Sequence, residues 1–164
     1  MDANVHHWRV DLGARDCSAA IAQRLESEHA HVASLVFCQR YRGEASDWNA
    51  HFQMEIESSI SIVQALCERQ RFSPEAAIVF VSSVAGMSVV SAQGVYYHVI
   101  KGALRQLVSK LAVDLGPEGI RVNSVCSSTL VKPESRDHYM DDTAVPVFYA
   151  KNAPLRKMPS SEDV

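Results

Sequence analysis

Two residues four apart, Tyr97 and Lys101, carry the clearest chemistry in this sequence. A free phenol ionises only near about pH 10, so alone it is a poor acid–base group at neutral pH. An ammonium held beside a phenol favours the phenolate and makes it a usable proton donor. Residues four apart in a helix share a face. Ser83 precedes the pair at the end of an apolar run, and the C-terminal ends of strands are where α/β sheets place ligand-contacting side chains. The same serine also reads as a simple turn residue at a strand's end. Tyr96 is the rival proton donor, but it has no lysine four residues on and points about 100° away around a helix.

The elements that must position these groups lie in residues 76–125. Residues 78–81 form a largely β-branched apolar run, suited to a strand buried on both faces. Ser82, Ser83 and Gly86 let the chain turn out of a sheet. Leu104, Leu107, Val108, Leu111, Ala112 and Leu115 recur at helical spacing and predict a helix over 95–115. Gly116-Pro117-Glu118-Gly119 stops it, and 120–125 reads as another strand. Strand, helix and strand of this kind make the βαβ unit of an α/β protein. Upstream, 7–11 reads as a short strand, and a helix over about 16–28 begins with Asp16 as N-cap. Residues 32–38 form a buried strand. A long helix over 47–69 starts at Asp47 and carries Phe52, Ile56, Ile60, Val63 and Leu66 on its apolar stripe.

With its flanks in order over some fifty residues, this constellation resembles the short-chain dehydrogenase/reductase family, closest to the 3-oxoacyl-carrier-protein reductase type. The matching residues are Ser82-Ser83-Val84-Ala85-Gly86, Tyr97-His98-Val99-Ile100-Lys101 and Gly119-Ile120-Arg121-Val122-Asn123. The resemblance implies an α/β, partial Rossmann-like fold, with a doubly wound, mainly parallel sheet flanked by helices. Residues 1–164 would form one partial domain, from the third strand through the substrate-loop region, without the first βαβ unit and the last strand. It also implies an NAD(P)-dependent enzyme that reduces a ketone or 3-oxoacyl thioester to the hydroxy compound. Tyr97 would donate the proton, Lys101 would hold the nicotinamide ribose and Ser83 would orient the carbonyl. The implied cofactor is NADP or NAD. Asp11 matches the strand-end aspartate that contacts its adenine, although such a carboxylate also reads as merely solvated.

Against that pattern the sequence shows departures. The family's Thr-Gly-x-x-x-Gly-x-Gly turn is not found among its seven glycines. Where the family has Asn-Asn-Ala-Gly, this chain has Phe37-Cys38-Gln39-Arg40. Arg40 and Arg42 there could meet phosphate or sit in a solvated loop. Glu55 replaces the family's relay asparagine; it either ties up Lys101 or faces solvent. Ser127-Ser128 replaces Pro-Gly. These departures imply an alternative, a catalytically inactive partner subunit or fragment. It would act through a helix-to-helix dimer surface on helices 48–69 and 95–115, in a homo- or hetero-oligomer. Without the family's first two strands, 32–38 has an unpaired apolar edge. A longer native chain, the 7–11 strand sliding alongside, or a second chain would cover it. Residues 132–158 resemble the variable substrate loop, and Ser160 or Ser161 before acidic residues reads as a helix start.

The net charge is −3, without a block of like charges, which argues against nucleic acid or an anionic membrane surface as the main partner. The first residues do not read as a signal peptide, and no apolar run approaches membrane-spanning length. A cytoplasmic protein acting on a small carbonyl or acyl-thioester substrate is the expectation. Cys17, Cys38, Cys67 and Cys126 are widely spaced and read as buried thiols rather than metal ligands.

Overall fold

The computed structural model describes residues 5–44, 46–89, 93–131, 133, 136–141, 144–160 and 163, with the backbone alone for 138 and 140. The chain forms two compact units, Met1–Cys126 and Ser127–Val164. In the first, α1 (Cys17–Ser27) leads to β1 (Val32–Phe37). Next comes a helical segment built from α2 (Trp48–Phe52), a π-helical turn (Gln53–Glu57) and α3 (Ser58–Glu68). Strand β2 (Phe72–Ser83) ends in a 3-10 turn (Val84–Gly86), and α4 (Val95–Leu115) connects it to β3 (Arg121–Ser127). The sheet order is β1-β2-β3 and β1 runs parallel to β2, with Leu35 opposite Ile78 and Phe37 opposite Phe80. A parallel sheet flanked by helices is the partial Rossmann-like architecture that the sequence implies.

The core lies on the helix side of the sheet. Ala76, Ile78 and Phe80 of β2 and Phe37 of β1 pack against Ala22 of α1, Ile62, Val63 and Leu66 of α3, and Ile100, Leu104, Val108, Leu111 and Leu115 of α4. The Phe37 and Phe80 rings stack at 4.6 Å. Burial along β2 alternates, leaving Val81 40% exposed, so 78–81 is not buried on both faces as expected. Val36 of β1 and Val125 of β3 are exposed as well. Helix packing therefore protects one sheet face here, and the β-branched run serves a half-covered strand.

Helix α4 has the predicted limits, and its stop is built as the sequence implies. Gly116–Glu118 make a 3-10 turn and Gly119 takes φ +77°, a left-handed conformation that glycine adopts without steric cost. Asp47 caps α2, its Oδ1 accepting from the Ala50 N–H at 3.0 Å. Asp16 precedes α1 but makes no side-chain cap bond. Two expectations need correction. Residues 7–11 are not a strand, because among the described residues no ladder partner pairs their backbone, so they do not cover β1, which there remains a sheet edge. Cys38 is exposed and Cys67 and Cys126 are half-buried, leaving Cys17 as the one fully buried thiol. Strand β2 is also longer than expected. Its register slips between the Phe72 and Ala77 pairings, and this irregular stretch accommodates Pro74, which has no N–H to donate.

In the second unit, α5 (Arg136–Asp141) and α6 (Ala144–Asn152) occupy the region that resembles a substrate loop. A parallel bridge joins Val131 to Ser160. The Ser160 backbone N–H, Lys157 and the Ser160 hydroxyl hold the Asp163 carboxyl down at about 2. Of the two expected helix starts, Ser161 lies outside the described residues, while the Ser160 backbone N–H and hydroxyl both donate to Asp163 Oδ2. Among the described residues, no helix is long and apolar enough to cross a membrane.

Candidate functional site

The first two turns of α4 place Tyr97 and Lys101 on one face, with the Lys101 Nζ 5.6 Å from the centre of the Tyr97 ring. Ser83, the last residue of β2, is buried, and its Oγ accepts from the Ala85 N–H at 3.2 Å, capping the 3-10 turn. That turn is seated on α4 at the lysine. A Cβ at residue 86 would lie 2.5 Å from the Lys101 carbonyl oxygen, so only glycine permits this approach. The close seating brings the turn that follows Ser83 to the backbone of Lys101, on the helix that also carries Tyr97.

Glu55 faces the lysine, not solvent. Its Oε2 accepts from Lys101 Nζ at 2.8 Å, and the two side chains are 2% and 4% exposed. Its Oε1 accepts from the Tyr41 backbone N–H at 3.2 Å and lies 3.7 Å from His51 Nδ1. The π-helical turn carries Glu55, and such turns recur at functional sites. The turn is fastened to the chain leaving β1: Gln39 Nε2 donates to Ser59 Oγ, which donates to the Glu55 carbonyl. The carboxylate therefore holds the ammonium in place and offsets its charge. Among the described residues one of the three ammonium hydrogens is used, leaving two.

Composition and spacing did not single out His51. It is buried with its ring 4.7 Å from Tyr41 and 4.3 Å from Tyr96, and neither ring nitrogen has a hydrogen-bond partner among the described residues. Its position four residues before Glu55 was the one available signal. Tyr96, the rival proton donor, has its ring against His51 rather than beside an ammonium. Arg40 lies with its guanidinium carbon 4.8 Å from the centre of the Tyr97 ring, and its side chain remains exposed. Asp11 sits in coil before α1, its Oδ1 accepting from the Gly13 N–H at 2.9 Å, so its carboxylate shapes its own turn.

Residues 13–164 match the family model described as enoyl-(acyl carrier protein) reductase. Cyclopentanol dehydrogenase of a Comamonas strain is 34% identical over 133 residues, covering 79% of this chain and 50% of that protein. A tropinone reductase homolog of Arabidopsis thaliana is also 34% identical, covering 73% of this chain and 44% of its own. The chain belongs to the short-chain dehydrogenase/reductase family. It spans about half the length of these relatives. The solved structure of 4-hydroxyisoleucine dehydrogenase complexed with NADH superposes with a TM-score of 0.77 at 20% identity, over 99% of this chain and 70% of that one. A gluconate 5-dehydrogenase from Burkholderia cenocepacia, in complex with NADP and tartrate, gives 0.71 at 19% identity, over 92% and 61%. At that identity these two likenesses speak for the fold.

Proposed function

We propose that Ser83, Tyr97 and Lys101 form the proton-handling site of an NAD(P)-dependent oxidoreductase that interconverts a ketone, or a 3-oxoacyl thioester, with its hydroxy compound. The observation that carries this reading is the seating of the Gly86 turn on Lys101, which joins the strand end bearing Ser83 to the helix face bearing Tyr97. Tyr97 gives its proton to the carbonyl oxygen, Ser83 orients that oxygen, and Lys101 steadies the phenoxide left behind. The names of the sequence relatives, cyclopentanol dehydrogenase and tropinone reductase homolog, agree with an alcohol–ketone pair.

The residues fit a nicotinamide cofactor at its ribose end. Lys101 keeps two ammonium hydrogens after serving Glu55, and Tyr97 lies on the same helix face. In this reading Lys101 and Tyr97 hold that ribose, and Asp11, whose Oδ1 is taken up by the Gly13 N–H, meets the adenine through its other oxygen. A nicotinamide cofactor supplies the hydride, while the protein contributes position and charge. Calorimetric titration with NADPH and NADH, followed by turnover of a 3-oxoacyl thioester, tests the reading. Micromolar binding and turnover falling about a hundredfold or more in Tyr97→Phe are expected. Absence of binding at millimolar NADPH and NADH would overturn it for this chain.

A second reading rests on a separate observation. Val95, Val99 and Val113 of α4 are exposed, and Val113 lies about five turns on from Val95, so they share a face. Such a stripe suits pairing with another helix, as in a partner subunit that associates through helices 48–69 and 95–115. Sedimentation showing a monomer at all accessible concentrations would remove this reading.

A further inference from the structure

We propose that Arg40 is an anchoring site for an oxyanion, a carboxylate or phosphate, on the ligand that reaches Tyr97. The inference rests on the functional reading above only for which molecule carries that oxyanion. Two cations flank the Tyr97 ring, with Lys101 Nζ at 5.6 Å and the Arg40 guanidinium carbon at 4.8 Å from its centre. They are not equivalent. Lys101 is held in a buried ion pair with Glu55, which offsets much of its charge while leaving its other N–H groups able to donate. Arg40 is exposed, and among the described residues no carboxylate lies within ion-pair distance of it. Glu55, the buried carboxylate of this region, is already held by Lys101 and the Tyr41 N–H.

The uncompensated positive charge beside Tyr97 is therefore that of Arg40. It stands just past the C-terminal end of β1, the end at which α/β sheets bind ligands. A guanidinium resting on an aromatic ring is oriented by it while its N–H edge stays free, and that planar fork matches two oxygens of a carboxylate or phosphate. A neutral carbonyl oxygen can accept one such N–H but cannot answer the charge or the fork of two donors. Carboxylate on the substrate and phosphate on the cofactor are the two sources of this chemistry.

The test follows the Arg40 Nε–H resonance of the folded chain by NMR, assigned by its loss in Arg40→Gln. Acetoacetate, its methyl ester and inorganic pyrophosphate are titrated separately. A saturable shift with acetoacetate or pyrophosphate, but not with the ester, is expected, and calorimetry should show affinity falling about tenfold or more in Arg40→Gln. Tighter binding of acetoacetate assigns the oxyanion to the substrate; tighter binding of pyrophosphate assigns it to the cofactor. A response to the ester equal to that of the acid would overturn the proposal. So would no saturation by either anion, or unchanged affinity in an Arg40→Gln variant with a wild-type circular dichroism spectrum. Nicotinamide binding and ketone turnover without an anion response would refute the role of Arg40 and leave the oxidoreductase reading standing; the reverse pattern would do the opposite.

Discussion

Replacing Glu55 and Lys101 singly and together tests whether their ion pair stabilises the fold or only holds the lysine. At 2.8 Å and an effective dielectric of about 20, their attraction is about 6 kcal/mol. Removing each ion from water costs several kcal/mol, so the pair as a whole contributes close to nothing. Breaking it is another matter. Glu55→Gln leaves a buried ammonium, Lys101→Met leaves a buried carboxylate, and each is expected to cost about 3–5 kcal/mol. The double variant Glu55→Gln/Lys101→Met is expected within about 1 kcal/mol of wild type, or above it, since Gln keeps an acceptor for the Tyr41 N–H and Met fills the lysine's space. Urea unfolding reads this as a lower midpoint at constant slope for the single variants and recovery in the double. Single variants at wild-type stability would refute the buried pair. A double variant as weak as the sum of the singles would show that Glu55 and Lys101 act separately.

Other consequences are simpler to read. Gly86→Ala forces a methyl group onto the Lys101 carbonyl and should cost about 1–3 kcal/mol in thermal unfolding; a wild-type melting temperature would contradict the close seating. Gln70 and His29 sit just past α3 and α1 at φ +52°, each closing the helix with a bond back to its last turn. Gln70→Gly and His29→Gly should each raise stability by about 0.5–1 kcal/mol, and a loss on either would refute the left-handed caps. Iodoacetamide near pH 8 should label exposed Cys38 before Cys17 and Cys67, whose thiols burial pushes up, slowing thiolate formation. Peptide mass mapping reads the order, and faster labelling of Cys17 would overturn it.

The legible parts of this fold were those in which local signals and tertiary packing agree. Helix α4 announces itself because its apolar spacing, its glycine–proline stop and its buried residues coincide. The 47–69 segment was legible as helix but not in phase. The π-helical turn at Gln53–Glu57 takes more residues per turn than an α-helix and so shifts the phase of the stripe across it; Phe52 is exposed, while Ile62, which was off the expected stripe, is buried. Residues 7–11 failed differently. The segment reads as a short strand, but pairing is a property of two segments, and one segment's residues do not reveal whether a partner stands beside it.

The site shows the same limit at the level of charge. In the sequence, Glu55 for asparagine and Arg40 for a small turn residue are two unrelated departures, and each alone reads as loss of function. In the fold they bear on one ring. The carboxylate that arrives at 55 offsets much of the Lys101 charge, and the guanidinium that arrives at 40 lies on Tyr97 from the end of β1. A second cation, without a carboxylate partner among the described residues, therefore stands beside the phenol in an exposed loop position where a ligand can pair with it. Charge relations of this kind depend on which side chains share a few ångströms, and residues 40, 55, 97 and 101 are brought together by β1, a π-helical turn and α4 rather than by spacing along the chain. If Glu55→Gln weakened anion binding at Arg40 instead of leaving or strengthening it, the charge offset that links the two departures would be wrong, because releasing the Lys101 charge should draw an anion closer.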